Sequence, residues 1–144
     1  MSCGDPFNLV RFVEAQDGGG TYRTALRELG GGRKCSHWMW FVFPQVEGLG
    51  CSPTAQYYAI SGLPEAEAYL AHAVLGPRLV ECADTLLGLP GADAVAVLGS
   101  VDALKLHSSM TLFHRAAAAQ EIAFAAVLER YFGGVEDDAT ISRI

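Results

Sequence analysis

The run from Gly32 to Gln45 reads Gly-Arg-Lys-Cys-Ser-His-Trp-Met-Trp-Phe-Val-Phe-Pro-Gln. Its residue types suit the capture of a small anion that carries a flat ring. Arg33 and Lys34 would neutralise a phosphate or carboxylate. Trp38 and Trp40 would stack on a heterocycle, and Ser36, His37 and Gln45 would supply hydrogen bonds. Nucleotide-like ligands of the ADP-ribose type fit that description. Two Trp and two Phe directly after Arg, Lys, Ser and His also mark a place where a polar wall meets the core. The plainer reading is that both Trp anchor the core while the two cations extend to water. In that reading Ser36 caps the short element carrying Trp38 to Phe43, and His37 satisfies a buried hydrogen bond.

Ser36 next to His37 has the composition of a nucleophile and its base. Neighbouring side chains usually diverge, however, and the chain has no G-x-S-x-G elbow. A second polar cluster, Lys105-Leu106-His107-Ser108-Ser109-Met110-Thr111, interrupts a segment otherwise rich in Leu and Phe. Lys105, Ser108 and Ser109 occupy neighbouring positions if the segment is helical. Their polar groups would either bind an anion or tie down the polar part of the first run. Glu14, Glu28, Glu47, Glu81 and Asp84 are isolated acids that could include a general acid or base, but none forms a carboxylate pair at a diagnostic spacing. His72 reads as a terminal or packing residue, and His114-Arg115 as cations opposing a helix dipole.

Metal and cofactor signatures are absent from the sequence, so neither group is expected. Cys3, Cys35, Cys51 and Cys82 are scattered without C-x-x-C pairing, and no histidine belongs to an H-E-x-x-H motif. Free thiols are the expectation, with Lys34 beside Cys35 able to favour its thiolate. Gly18-Gly19-Gly20 and Gly30-Gly31-Gly32 lack G-x-x-x-x-G-K-[ST] and are read as helix stops rather than phosphate loops.

The elements that must hold these groups are short helices. Asp5 and Pro6 open a first helix with Leu9, Phe12 and Val13 on one face and Arg11 and Glu14 toward solvent. Thr21 caps a second helix whose stripe is Tyr22, Ala25, Leu26 and Leu29. Pro44 limits the aromatic segment, which periodicity alone leaves open between helix and strand. Ser52-Pro53 starts a short helix over Ala55 to Ile60, and Pro64 with Glu65 and Glu67 another. Gly76-Pro77 breaks the chain before Leu79, Cys82, Ala83 and Leu86 resume at helical spacing. A short helix lies near Asp93 to Leu98, Ser100 caps Val101 to Arg115, and a last helix runs from about Gln120 to Phe132. The result is an all-α, compact single domain over residues 1–144, with six to eight short helices and minor extended segments.

Composition agrees with that class. The chain has 144 residues, 51% hydrophobic and 18% charged, enough for a core without staples. Ten Lys and Arg against sixteen Asp and Glu, net −6, argue against binding nucleic-acid backbone or anionic membrane. A local basic pocket remains compatible with that balance. The start lacks a signal pattern and no apolar run approaches membrane-spanning length, so a cytoplasmic location is expected. Oligomeric state is left open.

Asp5-Pro6-Phe7-Asn8-Leu9 with Arg11-Phe12, the run Gly32-Arg33-Lys34 with Ser36 to Phe41, and Phe43-Pro44-Gln45 resemble the bacterial family known as domain of unknown function 1810. Leu75-Gly76-Pro77-Arg78-Leu79, Asp102 to Leu106, Ser108 to Phe113 and Tyr131-Phe132-Gly133-Gly134 extend the likeness over nearly the whole chain. The resemblance implies a small, mainly helical domain and brings no catalytic set. Some members carry the label calpastatin-like, but such inhibitors are extended polar segments, unlike this core-forming composition. In size and helical content the family is also similar to NADAR glycosidases, which act on ADP-ribose-type N-glycosides. That analogy raises N-glycosidase or hydrolase activity without mapping a catalytic carboxylate. Two departures stand out: the Gly18-Gly19-Gly20 insertion, and His107 where Arg is usual, which would make anion binding depend on pH. The expected ligand set is Arg33, Lys34, Ser36, His37, Trp38, Trp40 and Gln45 facing Lys105, Ser108 and Ser109. The competing expectation is a structural or protein-interaction module with the same residues in a hydrogen-bonded core.

Overall fold

The longest helix, Ser100–Ala116, forms the axis of the fold. A computed structural model of the chain describes residues 5–144; the free-thiol expectation for Cys3 lies outside them. Around that axis the described residues are all-α, with six α-helices of eight residues or more and four shorter ones. They are α1 (Val10–Asp17), α2 (Thr21–Gly30), α3 (Met39–Val42), α4 (Pro53–Tyr57), α5 (Leu63–Ala71), α6 (Leu75–Leu87), α7 (Ala94–Leu98), α8 (Ser100–Ala116), α9 (Ala123–Phe132) and α10 (Asp138–Ile141). The β structure of the described residues is one isolated parallel bridge, Val46 to Ile60.

α8 packs against α5, α7, α9 and α10, so its middle has no solvent face. Leu106 and every residue from Ser108 to Phe113 are buried. This explains why its apolar pattern is not confined to one stripe: a helix enclosed on all sides buries its whole circumference. Trp38, Tyr69, Phe12, Phe43, Phe113 and Phe124 are the largest fully buried side chains, and one continuous cluster joins residues from Leu9 to Leu128. Among the described residues no helix is long and apolar enough to cross a membrane.

Local capping follows the sequence at Ser52, and Asp93 caps the short helix after it. Ser52 accepts from Ala55 N at 3.1 Å and Asp93 from Ala96 N at 3.1 Å, each satisfying a free first-turn amide. Asp5 accepts from Leu9 N and Val10 N, but α1 begins only after Asn8, whose φ of 54° interrupts a start at Pro6. Three further expectations change. Thr21 donates to Gly18 O instead of capping α2. Gly99 precedes α8 in place of Ser100. Gly76-Pro77 lies inside the first turn of α6, where proline's missing N–H costs nothing. A Cβ on Gly76 would stand 2.1 Å from Leu70 O, so only glycine lets α6 approach the end of α5 so closely.

Arg11 overturns the expectation of solvent exposure. It is buried, with Nε donating to Tyr57 O, Nη1 to Phe7 O and Asn8 O, and Nη2 to Ala59 O and Glu65 Oε2. Glu65 accepts in addition from Ser61 N and Ser61 Oγ. This pair pins α1 to the chain around α4 and to α5.

Candidate functional site

The loop after α2 is organised by a carboxylate that is not in the expected ligand set. Gly32 takes φ +75° at the end of α2, and the chain folds back over the last turn. Glu28 Oε1 then accepts from Cys35 N (2.9 Å), Ser36 N (3.0 Å) and Trp38 Nε1 (2.9 Å), while Oε2 accepts from Ser36 Oγ (2.6 Å). Partial burial pushes the Glu28 carboxyl up, but hydrogen bonds from Ser36 Oγ, Cys35 N, Trp38 Nε1 and Ser36 N outweigh it and hold the group at about 2. A carboxylate this acidic stays ionised at neutral pH and is a poor proton carrier. A local signal for Glu28 existed: an acid in the last turn of a helix opposes the dipole, so its position calls for donors from elsewhere.

Lys34 and Lys105 meet on one carboxylate. Lys34 Nζ lies 2.8 Å from Asp102 Oδ2 and Lys105 Nζ 3.3 Å from Asp102 Oδ1, with side-chain exposures of 9%, 17% and 21% for Lys34, Asp102 and Lys105. Lys34 also donates to Ser36 O and sits 5.0 Å from the Trp38 ring centroid. Lys105 sits 4.9 Å from the Trp40 ring centroid. The backbone bond Lys34 N to Val97 O at 2.7 Å ties this loop to α7. The two polar clusters, about seventy residues apart in sequence, therefore share a corner through Lys34, Asp102, Lys105 and Trp40.

The remaining expected residues divide. Trp38 is fully buried and Trp40 only partly. Arg33 and His37 are exposed, and neither side chain makes a hydrogen bond among the described residues, so His37 does not fill a buried one. Ser36 is engaged with Glu28 rather than capping α3, which begins after Trp38 without a side-chain cap. Gln45 contributes its backbone oxygen to Ile60 N. Ser108 Oγ donates to Leu104 O and Asp137 Oδ2, and so belongs to the clasp that holds α10. Ser109 is fully buried and its Oγ has no partner among the described residues. His107 is also elsewhere: it stacks on Phe132 at 4.3 Å and its Nε2 meets Val135 O at 2.7 Å. The pH dependence expected from His107 in the pocket therefore has no geometric basis.

Three grooves of about 770, 480 and 370 Å³ open on the described surface, and none is lined by a residue of the expected set. Among the described residues no three His, Cys, Asp or Glu side chains converge as a metal site.

The family model described as protein of unknown function (DUF1810) matches residues 6–144. The crystal structure of the conserved hypothetical protein Rv1873 from Mycobacterium tuberculosis is 52% identical, covers 96% of each chain and superposes with a TM-score of 0.91. No curated protein matches the chain.

Proposed function

The chain belongs to the DUF1810 family of proteins of unknown function, and from that premise we propose that it is a binding domain for a small anionic ligand with a flat ring. The outer layer of the corner, Arg33, His37, Trp40 and Lys105, receives the ligand. The inner layer, Glu28, Lys34, Ser36, Trp38 and Asp102, is the rigid floor beneath it. One observation carries this reading: Lys105 is only partly consumed by Asp102, and its ammonium stands over the half-exposed Trp40 ring. In a chain of net charge −6, two ammonium groups here share the one carboxylate of Asp102, while the oxygens of Glu28 are taken up by other donors. An ammonium partly open to solvent beside an indole favours a nucleotide-like anion.

The inner layer supports a structural role for its own residues, since Trp38 is buried and Lys34, Ser36 and the indole N–H are all paired internally. Glu28 is wrapped by donors and Asp102 by two ammonium groups, so neither is offered as a proton carrier and we propose binding alone.

A thermal-shift panel of nucleotides, ADP-ribose and simple phosphorylated metabolites tests the proposal. A ligand at about 100 times its dissociation constant stabilises by roughly 2.7 kcal/mol. A shift that Lys105→Ala or Trp40→Ala abolishes supports it. No shift across the panel, or one indifferent to both substitutions, leaves the structural module as the better account.

A further inference from the structure

The groove of about 770 Å³ is separate from that corner and has the opposite charge. One wall is a stripe of α6 in which Val80, Glu81 and Asp84 succeed one another at helical spacing. The other is the link from α8 to α9, carrying Ala117, Ala118 and Glu121. Small side chains in the link leave the space open, and α8 ends at Ala117, whose backbone is extended (ψ 152°). The close seat of Gly76 on Leu70 O fixes the end of the groove.

Its chemistry is one-sided. Three carboxylates line it and, among the described residues, no Lys, Arg or His does. The nearby cation Arg78 is already committed to Asp17, Gln16 and the Tyr22 ring. Glu81 takes the Tyr22 hydroxyl, which orients that carboxylate without neutralising it. Glu121 accepts from Ala123 N and keeps its second oxygen. Asp84 is exposed, and its side chain accepts no hydrogen bond among the described residues. The apolar floor and the volume suit a drug-sized organic molecule, and the rim suits positive charge.

We propose that this groove binds an amphiphilic organic cation, an apolar body bearing an ammonium or amidinium group, with Asp84 and Glu121 as its charge partners. An apolar body without charge would forgo the ion pair, and an anion would meet repulsion from three carboxylates.

The test uses three probes with one ring system: 1-naphthylmethylamine, its neutral alcohol 1-naphthalenemethanol, and 1-naphthaleneacetic acid. Binding is followed by amide chemical-shift changes in the full chain. The amine is expected to perturb residues 77–85 and 117–121 and to bind about tenfold more tightly than the alcohol, the worth of one charge-assisted hydrogen bond. The acid should not bind. Asp84→Asn with Glu121→Gln should bring the amine down to the alcohol's affinity, and Ala118→Trp should block both the amine and the alcohol by filling the groove. No binding of the amine, equal affinity for amine and alcohol, or an unchanged amine affinity in the double variant overturns the proposal. Perturbation confined to residues 33–40 would place the amine elsewhere and overturn it as well.

Discussion

Two clusters of buried charge in this molecule are built on different arithmetic. Arg11 and Glu65 are one cation and one anion, and every guanidinium N–H and both carboxylate oxygens have partners. At the other cluster two ammonium groups share the single carboxylate of Asp102, with Glu28 saturated beside them. The first is neutral and closed, so it has nothing left to offer a ligand. The second pairs two ammonium groups with one carboxylate and leaves Lys105 partly free at the surface. A closed pair serves packing, whereas an unbalanced one is where a binding surface can be sought.

The largest effect should come from opening the closed pair. Arg11→Ala strands Glu65 Oε2 and the backbone carbonyls of Phe7, Tyr57 and Ala59, and should cost about 3–5 kcal/mol, as breaking a buried pair does; urea denaturation measures it. Glu28→Gln removes an acceptor for several donors and should cost about 2–3 kcal/mol, with a change in the near-ultraviolet dichroism of Trp38. If Glu28→Gln proved harmless, the loop would be held by something other than this carboxylate.

Acid sharpens the same contrast. The folded Glu28 carboxyl lies at about 2, below its ordinary 4.5, so its contribution is fully present above about 4.5 and is lost as pH falls toward 2. The stability gap between wild type and Glu28→Gln should therefore be constant at neutral pH and narrow between 4.5 and 2. A gap that stays constant down to pH 2 would contradict the wrapped geometry.

Lys105→Ala should cost under about 1 kcal/mol, since its ion pair is partly solvated, while abolishing any anion-induced stabilisation. Equal losses of stability for Lys105→Ala and Lys34→Ala would erase the distinction between outer layer and floor. The smallest effect concerns thiols. Cys35 and Cys51 are exposed, while burial and the neighbouring Glu81 push the Cys82 thiol up to about 12. Peptide mapping after brief alkylation should find the first two modified and Cys82 spared.

The legibility of these features tracks the distance between partners. Ser52 is readable as a helix start because it acts on an amide three residues away. The helix breaks at the glycine triplets are equally local. Arg11 is misread by helical-face logic, because the groups that bury it come from Tyr57, Ala59 and Glu65. Lys34, Trp40 and Lys105 are picked out by type and do share a corner. Ser108 is picked out by the same reasoning and turns instead to Asp137, since one residue's rotation around an enclosed helix changes its neighbours completely. Glu28 is passed over because a lone acid looks solvated until the following loop folds back on it.

By itself the sequence determined an all-α chain, the approximate bounds of its helices and the two polar segments worth attention, because caps, stops and helical periodicity are interactions among near neighbours. The tertiary structure decided which charges are spent and which remain available. Pairing, burial and the acidity of a carboxylate depend on donors that only the packed fold brings within hydrogen-bonding distance.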